Sequence, residues 1–231
     1  MAQVRTEAAK WRVHECMLDL SREMSFAADC ADRSRHPLVF LWGDSTAGSL
    51  IPGLLKAQES RDFSIAQFTS SSCAAALNAD IPGVPNCRAI NDKVLGLARQ
   101  LQPDIVLLHG TAEKFILGPE PFWRRGLPNE VLRYYLLHHR LIPARTHADI
   151  GPQTYDADLR GKLVPKGAEF ISAWDVFCNA DGCLARVGDQ ASDITASDII
   201  HLTEKGSIFL IQAIIDRVLK GEAAPAAKIS Q

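Results

Sequence analysis

No run of about 18 apolar residues occurs in this 231-residue chain, so no segment of it is expected to cross a membrane as a helix. The opening MAQVRTEAAKWRVHEC lacks the apolar stretch of a secretory signal, and no signal peptide is expected there. An excess of one charge is missing too. With 25 Lys and Arg against 27 Asp and Glu the net charge is −2, which gives no electrostatic case for a nucleic-acid partner. No internal repeat or low-complexity block is visible. The Cys-x-x-Cys spacing of a zinc site is absent, so no metal is expected.

What is present suits one α/β domain, or one domain plus an extension, because 47% hydrophobic and 23% charged residues over this length supply a sizeable core. The six cysteines fall into three sequence-local pairs: Cys16 with Cys30, Cys73 with Cys87, and Cys178 with Cys183. Many pairings are open to six cysteines, and nearest-neighbour connectivity is the one expected. In FCNADGCL a turn composition separates Cys178 from Cys183 and lets them meet. Reduced, partly buried thiols in a cytosolic protein are the alternative. Paired cysteines imply an oxidising compartment.

Residues 1–36 are polar and read as a helical lead-in outside the core, 37–221 as the main domain and 222–231 as a flexible small-residue tail. Short apolar runs predict buried strands at 38–41, 63–68, 105–108, 115–117 and 170–172. Helical spacing covers 91–101 and 204–219, and a helix over 46–55 is expected to bend or be interrupted at Pro52-Gly53. Such alternation predicts a three-layer α/β/α sandwich with a mainly parallel sheet.

Within PLVFLWGDSTAGSL, Ser45 falls at the turn between the first strand and its helix, on the sheet edge where α/β proteins bind ligands. Taken alone, Asp44 and Ser45 also read as helix caps. SASDIIHLTEKGS decides between the two. A nucleophilic serine needs an imidazole to take its proton and a carboxylate to hold the imidazole's tautomer, and Asp198 and His201 stand three apart just before the last helix. His109, at a strand end, is a weaker candidate base because no Asp stands at a suitable spacing. His138 and His139 lie on an amphipathic helix and read as surface or core residues. Trp123, Arg124 and Arg125 read as a solvated loop, with sugar stacking and phosphate pairing as the other possibility.

GDSTAGSL together with DIIHLT resembles the SGNH/GDSL family of serine esterases and acyltransferases. VFLWGDS, TSSSC, LGPEPFWRRGLPNEVLRYYLLHHRLIPART, GAEFISAWDVFCNADGC and DIIHLTEKGS are similar to the SGNH domain attached to membrane-embedded bacterial acyltransferase-3 proteins, over roughly residues 10–220. The resemblance implies Ser45 as nucleophile with Asp198 and His201 completing a triad, and no cofactor. It also implies transfer of an acyl group, acetyl by expectation, from a donor to a hydroxyl of a surface carbohydrate on the periplasmic side of the inner membrane. A carbohydrate or small-ester esterase and a truncated, non-catalytic domain are the alternatives.

The chain departs from that pattern in four places. Thr46 stands where attached domains of this kind commonly carry His. The second-block glycine has no counterpart near Ser70–Ser72, which leaves the N–H of Ser71 as a substitute oxyanion donor beside that of Ser45. The third-block asparagine is missing near Gly110, a third candidate donor. Finally, only six residues separate the strands ending at Leu108 and beginning at Phe115. A parallel pair ordinarily needs a crossover of a dozen or more, so an antiparallel hairpin or one kinked segment is expected, with a helix deleted, one sheet face partly uncovered and activity in doubt.

Overall fold

Apolar side chains at every position of 38–42 require cover on both faces of the strand, and they have it. The structure is a computed structural model that describes residues 10–109 and 115–220. In chain order the elements are β1 (Met17–Leu18), β2 (Leu38–Gly43), α1 (Ser45–Gly48), α2 (Ile51–Ala57), β3 (Ser64–Ser70), α3 (Cys87–Leu101), β4 (Ile105–His109), β5 (Phe115–Leu117), α4 (Leu127–His138), β6 (Arg145–Thr146), α5 (Gly151–Leu163), β7 (Glu169–Ile171), α6 (Ala173–Phe177), β8 (Cys178–Asn179), β9 (Gly182–Leu184) and α7 (Glu204–Lys220). Six strands form a parallel sheet in the order β1-β3-β2-β4-β5-β7, and β6-β9-β8 make a small antiparallel one.

Alternate residues of each strand face opposite layers. Val39, Leu41, Ile65, Leu107, Phe115 and Leu117 pack beneath α2 and α7, whose Leu54, Leu210, Ile211 and Ile214 are buried against them. Phe40, Trp42, Ala66, Phe68 and Leu108 face the other way, toward Val94 of α3. Trp42 donates its indole N–H to Asn91 Oδ1 at 2.8 Å, which satisfies the one polar atom that this face buries on β2. The three-layer parallel sandwich is therefore the observed architecture.

Four local expectations are corrected. The helix expected over 46–55 is two helices, with the break at Ser49-Leu50 and Pro52 in the first turn of α2, where its missing N–H costs nothing. The expected helical lead-in is not seen over most of its described residues, 10–36, where only Lys10 is α-helical and Ala28–Cys30 form a short 3₁₀ turn. Instead Met17 and Leu18 pair in parallel with Thr69 and Ser70 of β3, and Cys16, Cys30, Leu18 and Leu20 are buried. The segment belongs to the sheet and its core because a disulfide links Cys16 to Cys30 and fastens both ends of its loop there. The other bridges are Cys73–Cys87 and Cys178–Cys183, so all three sequence-local pairs are joined.

Third, β4 and β5 pair in parallel, with Leu107 opposite Phe115 and His109 opposite Leu117, and not as a hairpin. The dozen-residue requirement assumes a return over a full strand length, whereas β5 is three residues long. From the end of β4 the chain need only step back two residues and across one strand spacing, about 8 Å, and six peptide units reach roughly 20 Å. Fourth, the sheet face there is not left bare: Ile116 is completely buried against Leu159 of α5 and Phe170 of β7. The connecting residues 110–114 and the tail expected at 222–231 lie outside the described residues.

Gly53 of α2 lies against Ser207 and Ile211 of α7 with no room for a side chain. Its N–H donates to Ser207 Oγ at 2.9 Å, and an added methyl would overlap the Ser207 carbonyl oxygen. Gly53→Ala should lower the unfolding free energy by about 1–3 kcal/mol, since backbone on a packed helix cannot move aside as a side-chain tip can. Urea denaturation with the midpoint unchanged would show that the two helices are free to separate.

Candidate active site

The carboxyl ends of β2, β4 and β5 lie together along one edge of the sheet, and the chain leaves β2 there through Gly43-Asp44-Ser45. Gly43 has no room for a side chain. A Cβ would stand 2.7 Å from that of Ala47 and 2.8 Å from the His109 carbonyl oxygen. Asp44 caps α1, its Oδ1 accepting the Thr46 N–H at 2.8 Å, and Ser45 projects half-buried from the first residue of the helix. The Ser45 N–H has no hydrogen-bond partner among the described residues.

The other half of the site comes from the loop before α7. Asp198 Oδ1 accepts the N–H groups of Ile200 and His201 at 2.9 and 2.8 Å, so the carboxylate closes its own turn. The fold-back is what carries its second oxygen to the ring: Oδ2 lies 2.6 Å from His201 Nδ1. On the far side of the imidazole, Nε2 lies 2.8 Å from Ser45 Oγ. The loop is braced by the start of α4 and the segment before it: Leu127 N–H donates to the Asp198 carbonyl and Trp123 N–H to that of Ile199. Ser45, His201 and Asp198 are thus joined across 156 residues of sequence.

Burial works against charge on His201, yet the hydrogen bond and charge of Asp198, helped by Asp44 and Glu120, raise its pKa above the ordinary imidazole value. For Asp198 burial is again the largest influence and acts upward, but the hydrogen bonds from the His201 side chain and from the His201 and Ile200 backbones win, and its pKa is lowered. An ionised Asp198 can only accept. Nδ1 therefore carries the hydrogen of neutral His201, and Nε2 presents its lone pair to the Ser45 hydroxyl.

A family model described as the SGNH domain fused to AT3 domains matches residues 15–154. The chain belongs to that family. The matched stretch contains Ser45 and ends before Asp198 and His201. Among solved structures, this SGNH domain is similar to the periplasmic domain of a lipopolysaccharide acetyltransferase from Salmonella ser. Paratyphi A: 24% identity, TM-score 0.80, over 93% of this chain and 95% of that one. A Streptococcus pneumonia protein whose description names platelet activating factor aligns over 94% and 92% at 12% identity with a TM-score of 0.42, too distant to carry an argument. A search of curated proteins found no match.

The other expected site residues fare differently. Ser71 is not placed as an oxyanion donor, because its N–H is spent on the Leu18 carbonyl at 2.8 Å once β1 joins the sheet. Gly110 lies outside the described residues. Trp123 is buried among Leu127, Trp174 and Ala196 and has no face to offer a sugar. Arg124 pairs with Asp149, and His138 and His139 are exposed. His109, set aside for want of an aspartate, has an acidic partner in Glu120, Oε1 to Nε2 2.9 Å. Sequence reasoning also missed Trp11, whose ring packs on His201 with centroids 5.4 Å apart. Neither contact leaves a spacing signal, since each joins elements that only the fold makes neighbours.

Beside the triad lies a cleft of about 380 Å³, bordered by Asp44, Thr46, His109, Phe122, Tyr155 and Ile200. Clefts as large or larger occur at the Cys178–Cys183 hairpin and beside α5. Lining by Asp44 and Thr46, the chain neighbours of Ser45, and by Ile200, the neighbour of His201, connects this one to the site; size does not.

An NMR titration of the His201 ring should give a midpoint above that of an exposed histidine. In Asp198→Asn the midpoint should move down, because the negative charge is removed and the hydrogen bond to Nδ1 becomes one to a neutral acceptor. Equal midpoints in the two proteins would mean that Asp198 does not govern the imidazole.

Proposed function

We propose that this SGNH domain is an O-acyltransferase that carries an acyl group, acetyl by preference, on Ser45 and passes it to a hydroxyl of a bacterial surface carbohydrate. The observation that carries the reading is the unbroken line Ser45 Oγ, His201 Nε2, His201 Nδ1, Asp198 Oδ2, with spacings of 2.8 Å and 2.6 Å at its two hydrogen bonds. In the first half-reaction Ser45 Oγ attacks the donor's acyl carbonyl while Nε2 takes its proton. The oxyanion that forms is met by the free Ser45 N–H. The tetrahedral adduct collapses, the leaving group departs with the proton from His201, and an acyl-serine remains. An acceptor hydroxyl then gives its proton to Nε2 and attacks the acyl carbonyl, and on collapse the ester leaves while His201 returns the proton to Ser45 Oγ. Asp198 steadies the imidazolium without taking its proton.

The acyl and carbohydrate classes come from the Salmonella relative, described as a lipopolysaccharide acetyltransferase domain, and from the family's fusion to AT3 domains. A membrane acyltransferase-3 domain is the proposed source of the acyl group. Location on the periplasmic side of the inner membrane suits the three disulfides, which persist in oxidising compartments. The cleft beside Ser45, lined by the aromatic Phe122 and Tyr155 and by the polar Thr46 and Asp44, is the proposed seat of the acceptor sugar.

Incubation with a chromogenic acetyl ester, with and without a sugar acceptor, tests the reading. Ser45→Ala and His201→Ala should each lower turnover by about 10⁴-fold or more, and Asp198→Ala by roughly ten- to a hundredfold less than either. Acetylated sugar marks a transferase and hydrolysis alone an esterase. Wild-type turnover in Ser45→Ala would overturn the acyl-serine.

A further inference from the structure

Behind the nucleophile turn runs a second chain of hydrogen bonds that the acyl chemistry does not use. Glu120 Oε1 lies 2.9 Å from His109 Nε2, and His109 Nδ1 lies 2.8 Å from Thr46 Oγ1. Thr46 Oγ1 is in turn 2.6 Å from Asp44 Oδ1, the same oxygen that accepts the Thr46 N–H. His109 and Glu120 are only 7% and 5% exposed. The β2–β4 register puts His109 opposite Gly43, and Glu120 follows β5 by three residues, so both reach the edge from which Ser45 projects.

The hydrogens along this chain can be counted. Asp44 Oδ1 already acts as an acceptor, so the single Thr46 hydroxyl hydrogen goes to it. Thr46 Oγ1 must then accept from His109, which places a hydrogen on Nδ1. At the other ring nitrogen an imidazole meets a carboxyl oxygen, and one hydrogen has to lie between them, on Nε2 or on Glu120. In either case the pair holds one proton more than a neutral imidazole and a free carboxylate, and its net charge is zero. Burial alone would strip that proton from the ring, but the charge and hydrogen bond of Glu120, with the charge of Asp44, outweigh it and raise the His109 pKa.

We infer that His109 is a positioning residue for Ser45: its Nδ1–H, kept in place by a proton shared with Glu120, locks the Thr46 hydroxyl onto Asp44 and so fixes the turn that aims the nucleophile. The titratable groups around it are Asp44 on the β2–α1 turn, Glu120 after β5 and Tyr155 of α5 across the cleft. Asp44 and Glu120 also act on His201. Without the shared proton, two uncompensated carboxylates would stand near the point where the oxyanion forms and would oppose it. The inference rests on the acyl-serine reading, but part of its test does not.

The test uses the full chain with ¹⁵N-labelled histidine. Wild-type His109 should carry a hydrogen on Nδ1 throughout the folded pH range. In Glu120→Gln an amide hydrogen of the glutamine takes the place of the shared proton by donating to Nε2, so Nδ1 should stay protonated. Thr46→Val should lower kcat for ester turnover by roughly ten- to a hundredfold with KM unchanged, as expected for a misplaced nucleophile, and Thr46→Ser should recover most of it. A bare Nδ1 near neutral pH in the wild type, which needs no variant to observe, overturns the inference. So does a Thr46→Val protein whose kcat equals that of the wild type. Failure of the acyl-serine reading would show separately, as Ser45→Ala with full turnover.

Discussion

The pairing of β2 with β3 on one side and β4 on the other is the constraint on which the rest depends. Six consecutive residues of β2 are buried, and the register sets Gly43 level with Thr69 and His109. Because all three strands run the same way, their carboxyl ends open on one edge, and the segments that carry Ser45 and Glu120 leave from it. Ser45 is two residues beyond β2, and Glu120 three beyond β5. The Asp198–His201 loop reaches the same edge because α7 packs along β2 and β4 with Leu210, Ile211 and Ile214, and its amino end has to start there.

Three carboxylates gather around two imidazoles at this edge. Each serves a different part of the geometry: Asp198 closes its own turn and holds the His201 tautomer, Asp44 caps α1, and Glu120 shares a proton with His109. Asp44 and Glu120 also raise the His201 pKa from a distance, so the two hydrogen-bonded chains are electrostatically joined although no hydrogen bond links them among the described residues. A change in one chain is felt in the other through charge before it is felt through shape.

The N-terminal segment shows how a polar stretch becomes part of a site. Residues 10–36 are polar and read from the sequence as a lead-in outside the core, yet Met17–Leu18 extends the sheet, Cys16–Cys30 pins the loop, and Trp11 lies on the His201 ring. Its arrival has a chemical consequence, since pairing with β3 consumes the Ser71 N–H. At 14 residues of separation, the Cys16–Cys30 and Cys73–Cys87 bridges each constrain the unfolded chain by about 3 kcal/mol in the chain-entropy account.

Strand and helix periods, and the residue types in GDS and D-x-x-H, are local properties, and the sequence by itself determined the parallel sandwich, its main elements and the choice of Ser45, Asp198 and His201 as the residues to examine. The same is true of the cysteine pairs, which lie close along the chain. Partners distant in sequence follow no spacing rule, and these only the tertiary structure decided: His109 with Glu120 and Thr46, Trp11 with His201, Ser71 with Leu18. The parallel pairing of β4 with β5 belongs with them. Strand direction is set by how much length a connection must cover in space, and the sequence counts residues without showing that β5 is only three residues long and offset by two.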